Sequence, residues 1–285
     1  MRTRPIGPYG TAVSVIGQGT WQLERADRRT AVRALNTGID AGMTHIDTAE
    51  SYGGGAVEQL VGEAVRHRRH EVFLASKVRA ANASAHGTVA ACDRSLRRVG
   101  TDHLDLYLLH WPGGHPLEET LAGLRALHRA GKILHYGVSN FHDRHLAELF
   151  ARTGPDEIVC DQVLHHLGDC SAELRVAPAC LARGIAVVGY SPFGLGSFPP
   201  SPRAAAVLDS VARTHGATRH QIALAFLVRE PHSFAIPKTA TPSRAEENAA
   251  AAEITLSDED IARIAAVCPV PADDGTPSSA SGRRP

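Results

Sequence analysis

LDLYLLH, residues 104–110, is apolar at almost every position instead of alternating, and it ends on a histidine. A strand with one wet face alternates between apolar and polar residues. One that is apolar throughout is covered on both faces, as parallel strands between helices are. Working outward, VFLASK (72–77) reads as a similar strand, with a helical pattern over 86–99 between the two. Downstream, a helix near 118–130 leads to a strand over 133–138. The same rhythm extends to both ends, with further strands at 13–16, 44–48, 158–163, 186–190 and 234–236. The remaining helices fall at 29–41, 56–66, 143–151, 172–183, 203–215, 218–229, 244–251 and 257–267. The first of these carries Ala31, Ala34, Leu35 and Ile39 on one face. Eight strands, each followed by a helix, in a chain of 285 residues predict an α/β protein of the (β/α)8 TIM-barrel type.

The rival is a doubly wound open sheet, which would carry GxGxxG after a strand. Gly17-Gln-Gly19-Thr-Trp-Gln22 lacks the third glycine. No linker interrupts the alternation, so a single domain is expected over 1–268. The last residues, 269–285, are rich in Pro, Ser and Gly and predict a flexible tail with little to bury.

Bulk composition excludes several classes. Apolar residues form 43% of the chain and charged residues 21%, enough to bury a sizeable core. Thirty basic and thirty acidic side chains cancel without a long basic run, so a nucleic-acid partner has no electrostatic footprint. No stretch approaches the ~20 apolar residues that span a bilayer, and MRTRPIGPYG has no apolar core of a secretory signal. Five well-separated cysteines without a CxxC pair fit a reduced, cytoplasmic protein. Nothing in the sequence marks an assembly beyond a monomer or weak dimer. Sixteen histidines raise the question of a metal. The groupings His67/His70, His142/His145 and His165/His166 lack carboxylate or thiol partners at ligand spacing, so no metal is expected.

In a barrel of this kind, reactive groups sit at the C-terminal ends of the strands. Asp47 ends the second strand, with Tyr52 shortly after it. Lys77 ends the third and His110 the fourth. Ser139 and Asn140 close the fifth, Gln162 the sixth and Tyr190-Ser-Pro the seventh, while the eighth runs into Pro237-Lys238-Thr239. Singly, each has an ordinary account: a solvated lysine, an aspartate capping a turn, a histidine satisfied under a loop. Convergent at one mouth, they suit the reduction of a carbonyl compound, which needs a hydride donor and a proton donor at oxygen. A phenol with its usual pKa near ~10 is a weak acid at neutral pH. Lys77 would strengthen it as a nearby ammonium, Asp47 would hold Lys77, and His110 would direct the substrate oxygen.

HIDTAESYGGGAVEQLVGEA (45–64) resembles the Asp-Thr-Ala…Tyr-Gly signature of the aldo-keto reductase superfamily. SKV (76–78), LLHWP (108–112), GVSNF (137–141), YSP (190–192) and IPKTATPSRAEEN (236–248) match its other landmarks in order, and the likeness runs from about residue 10 to 267. The resemblance implies a catalytic tetrad of Asp47, Tyr52, Lys77 and His110, and NADPH/NADP+ held without a Rossmann fold. It implies Ser139, Asn140 and Gln162 at the carboxamide and Tyr190 stacked on the nicotinamide, with Gly19, Thr20 and Trp21 beside the cofactor or pocket. Lys238, Thr239 and Arg244 would hold the 2′-phosphate, and Glu247 and Asn248 would face the adenine. Asp47, Ser191, Pro192, Phe193, Leu195 and Ile236 complete the expected cofactor contacts. Trp21, Tyr52, His110 and Trp111 would edge the substrate pocket. The cations Lys238 and Arg244 at the start of a helix also read physically as an anion site, which suits NADPH better than NADH.

QVLHHL (162–167) and AIPKTATPSRAEENAAA (235–251) are similar to compact bacterial members that reduce methylglyoxal and other small aldehydes. Two features depart from the family pattern. Gly55-Ala56-Val57-Glu58 lacks a serine before the glutamate, and FGLGSFPPSPRA (193–204) is short where other members fold a long belt. Two alternatives stay open: a cofactor-binding sensory or regulatory protein with little turnover, and a barrel enzyme, such as an isomerase, using Lys77 as a Schiff-base amine.

Overall fold

The computed structural model describes residues 1–7 and 10–268; the expected tail, 269–285, lies outside them. The chain opens with a hairpin, β1 (Thr3–Ile6) antiparallel to β2 (Thr11–Ser14). Then come β3 (Gln18–Gly19), α1 (Arg28–Asp40), β4 (His45–Asp47), α2 (Ala56–Val65), β5 (Phe73–Val78) and α3 (Ala85–Val99). They are followed by β6 (Leu104–Leu109), α4 (Leu117–Arg129), β7 (Ile133–Ser139), α5 (Asp143–Arg152), β8 (Cys160–Leu164) and α6 (Val176–Leu181). The rest comprises β9 (Ala186–Tyr190), α7 (Pro202–His215), α8 (Arg219–Leu227), β10 (Ser233–Ile236), α9 (Pro242–Ala250) and α10 (Asp258–Ala265).

Local chemistry explains the helix ends. Asp27 caps α1 by accepting the Thr30 N–H at 2.9 Å, and Ser84 caps α3, which stops at the left-handed Gly100. Reciprocal capping boxes start α8 at Thr218/Gln221 and α10 at Ser257/Asp260.

Strands β3 to β10 pair in parallel and in chain order, forming a (β/α)8 TIM barrel. Closure comes where the first and last strands meet: Gly19 N–H donates to Pro237 O at 3.0 Å and Ala235 N–H to Val15 O at 3.0 Å. Gly19 is required there, because a Cβ would stand 2.6 Å from Ile236 O. The bore is filled by Phe73, Ala75, Leu106, Leu108, Cys160, Val188 and Phe234, and the hairpin plugs its N-terminal end with Ile6 and Val13. Only the C-terminal mouth is left for chemistry.

Two expectations are corrected. Residues 13–16 are not the first barrel strand: 13 and 14 finish the hairpin, and the barrel begins with Ile16 bridging Ala235 and with β3. The run Val13–Ile16 is apolar but for Ser14 and spans both segments, so periodicity could not show which sheet each joins. The expected helix 172–183 is a 3-10 turn, Ser171–Glu173, followed by the short α6. Pro178 fits only near a helix start, which delays α6 until Val176.

Candidate active site

The barrel mouth opens into a cleft of about 850 Å³. Its wall includes the strand-end residues Gly19, Asp47, Ser139, Gln162, Tyr190 and Ile236, and the loop residues Thr20, Trp21, Tyr52, His110, Trp111, Asn140, Ser191, Pro192, Phe193, Leu195 and Lys238. Lys77 is fully buried directly beneath.

Lys77 organises the centre. Its Nζ donates to Asp47 Oδ1 at 2.6 Å, to Thr48 O at 2.9 Å and to Tyr52 Oη at 3.3 Å. The other Asp47 oxygen accepts Gln162 Nε2 at 2.8 Å, and Thr20 donates to the Asp47 carbonyl at 2.8 Å. Both Asp47 carboxylate oxygens are therefore engaged, and the lysine it holds has one remaining direction, toward the phenol. His110 meets the Tyr52 ring edge-on at 5.7 Å and stacks beside Trp111 at 6.2 Å. Ser51 Oγ lies 3.4 Å from His110 Nδ1.

The electrostatics are those of a dry site. Burial lowers the Lys77 ammonium, but Asp47 and Tyr52 outweigh that effect and hold it above the ordinary lysine value. Burial raises the Tyr52 phenol, and the opposing pull of Lys77 does not cancel the rise. The expectation that Lys77 alone would make Tyr52 a stronger acid thus misses the larger effect, which is desolvation. A raised value keeps Tyr52 protonated at neutral pH, the form a proton donor needs. Burial, joined by the charges of Lys77 and Arg79, pushes the His110 imidazole well below the histidine range. A neutral His110 keeps one N–H to donate to an oxygen.

A second network runs around the rim. Asn140 has the left-handed φ of 63° and donates to His110 O at 3.1 Å and to Ser139 Oγ at 2.9 Å. Ser139 donates to Gln162 O, and Tyr190 donates to Asn140 Oδ1 at 2.9 Å. These contacts fix the Tyr190 ring on the cleft wall. Behind them, buried Asp161 accepts the Phe141 N–H at 3.4 Å, just past the Asn140 turn, and burial holds its carboxyl well above the usual range.

The group expected on α9 lies apart. Thr239, Arg244, Glu247 and Asn248 are not part of the cleft wall. Thr239 accepts the Thr241 N–H, and Glu247 takes the Thr218 hydroxyl at 2.6 Å. Lys238 and Arg244 are exposed and pair with no carboxylate among the described residues. They flank the start of α9, where Thr241 provides no side-chain cap and Pro242 has no N–H; the Arg244 and Ala245 N–H groups donate to Thr241 O, which leaves the Ser243 N–H for an anion. With the cleft beneath, this suits a dinucleotide phosphate reaching out of the mouth.

Several wall residues escaped the sequence reading: Gln22, Leu164, His166, Asp169 and the stretch 194–197 apart from Leu195. Leu164 ends β8 one residue beyond the expected strand end, and the others lie in loops, so the strand-end rule did not find them. Where the family pattern has a serine before the glutamate, Val57 is fully buried in the apolar core. Glu58 is buried and bound by Ser76, at 2.6 Å, and by Arg98. Among the described residues, one group has ligand atoms close enough for a metal: His165, Cys170 and Glu173. Both Glu173 oxygens are taken by Arg229, at 3.1 and 2.6 Å, and one also by His165, so the trio reads as part of an ion-pair cluster.

Comparison with known proteins agrees with this geometry. The profile of the aldo/keto reductase family matches residues 15–268. The chain is 39% identical to methylglyoxal reductase YeaE of Escherichia coli (strain K12), over 91% of this chain and 93% of that protein. An aldo/keto reductase of Klebsiella pneumoniae solved with NADP and acetate superposes with a TM-score of 0.89 at 38% identity, covering 94% of this chain and 96% of the other. A structure of an aldo-keto reductase from the same organism in complex with NADPH gives 0.89 at 36%, covering 95% and 97%.

Proposed function

Because this chain belongs to the aldo/keto reductase family, we propose that it reduces aldehydes and ketones to alcohols with NADPH, small 2-oxoaldehydes such as methylglyoxal among them. The observation that carries the reading is one buried ammonium, Lys77, bonded at once to Asp47 and to the phenol at the cleft. NADPH supplies the hydride. Tyr52 gives its proton to the carbonyl oxygen as charge develops there. Lys77 stabilises the phenolate left behind, and Asp47, tied down by Gln162, keeps Lys77 in place. Neutral His110 donates to the same oxygen and orients it.

Tyr190, Ser139, Asn140 and Gln162 line the part of the cleft assigned to the nicotinamide. Trp21 and Trp111 give the substrate end apolar walls, which suits small, varied carbonyl compounds. Lys238 and Arg244 take the 2′-phosphate. The same reading places the reductase on a single barrel domain over 1–268, acting in the cytoplasm as a monomer or weak dimer. Five free, buried cysteines are compatible with that, and no described helix is long and apolar enough to cross a membrane.

The test is NADPH oxidation by the pure protein with methylglyoxal and 4-nitrobenzaldehyde. Turnover is expected with both; none with any aldehyde would favour the sensory alternative. The phosphate assignment is checked by Arg244→Ala. Losing a charge-assisted contact weakens NADPH binding roughly tenfold or more and leaves NADH binding within about twofold. Quenching of tryptophan fluorescence reads this directly, since the chain's two tryptophans, Trp21 and Trp111, both line the cleft. Equal losses for the two cofactors would overturn the 2′-phosphate assignment.

A further inference from the structure

Gln22 stands on the cleft wall between Trp21 and the buried Leu23. Its φ is 60°, a left-handed conformation that strains a residue with a side chain. The fold makes no use of the amide there. Gln22 precedes a short 3-10 turn, Leu23–Arg25, without capping it, and no described residue bonds to its side chain. The other cleft amides are committed: Gln162 to Asp47, and Asn140 to His110, Ser139 and Tyr190.

The residues that follow hold this conformation in place. Leu23 packs in the same apolar cluster as Tyr52. Glu24 lies so close to the Tyr52 turn that a Cβ on Gly53 would meet its Cγ at 2.9 Å. The segment is thus held against the turn that carries the phenol, with one neutral, uncommitted donor on its surface. Tyr52 and His110 are taken by the reacting oxygen, Trp21 presents a ring, and Trp111 Nε1 is buried in the wall.

We infer that Gln22 is a specificity-determining residue whose amide N–H donates to an oxygen on the carbon next to the reacting carbonyl. The site then prefers 2-oxoaldehydes to simple aldehydes of the same length, because the simple aldehyde leaves the amide unanswered. This inference rests on the reductase reading above.

The experiment compares kcat/KM for methylglyoxal and for propanal in the wild type, Gln22→Leu and Gln22→Gly. The ratio of the two values falls about tenfold in both variants, the size of one well-placed neutral hydrogen bond. Gln22→Gly melts at or above the wild-type temperature, since glycine takes φ 60° without strain. A ratio that does not move, or equal losses on both aldehydes, overturns the inference. So does a lower melting temperature in Gln22→Gly, which would show the side chain serving the fold. A wild type active on both aldehydes but indifferent between them sinks this inference alone. One active on neither sinks the reductase reading with it.

Discussion

Tyr52→Phe lowers kcat/KM for NADPH-dependent aldehyde reduction by about 10²–10⁴-fold, the contribution expected of a positioned general acid. The substitution removes one oxygen and leaves the ring, so the packing around it survives. The lost bond is the long 3.3 Å contact from Lys77. Its removal costs about 1.5–3 kcal/mol of stability, the range for a bond to a charged group, and the variant folds. His110 cannot replace the phenol at neutral pH, because its buried ring is held well below the ordinary histidine pKa and carries no spare proton. Steady-state kinetics with methylglyoxal, beside a melting curve, settle the matter. A folded variant within about tenfold of the wild type would take the general-acid role away from Tyr52.

Lys77→Met has a double effect. Activity falls at least about 10²-fold, because the phenolate formed as Tyr52 gives up its proton loses its counter-charge. Stability falls as well. Lys77 and Asp47 are both almost wholly buried and 2.6 Å apart, so removing the lysine leaves a buried carboxylate without its partner. Breaking such a pair from one side costs about 3–5 kcal/mol. NADPH affinity stays within a few-fold, since Lys77 lies beneath the cleft wall instead of on it. The double variant Lys77→Met/Asp47→Asn separates the two losses. With no lone charge left inside, it recovers much of the melting temperature but none of the activity. A large loss of NADPH affinity in the single variant would recast Lys77 as a cofactor-binding group.

Much of this was legible in residue order. A strand such as β6, apolar at almost every position, had to be covered on both faces, and eight short strands spaced by amphipathic helices leave few folds besides the closed barrel. The strand-end rule then put Asp47, Lys77 and His110 at one mouth, and the structure brings them there. What was illegible fell between elements. The end of the β1–β2 hairpin looked like part of the first barrel strand, because the apolar run Val13–Ile16 crosses the junction without a break. Gln22, His166 and Asp169 reached the cleft wall through loops whose paths depend on packing many residues away.

The sequence by itself determined the barrel, the family and the chemical cast of the site, because hydrophobic period and strand-end position are local properties of the chain. Only the tertiary structure decided the protonation of that cast. Tyr52 was expected to be acidified by Lys77; burial proves the larger influence and raises its phenol, while the same burial leaves His110 neutral. Desolvation is set by everything that surrounds a group, and no stretch of residues carries that sum.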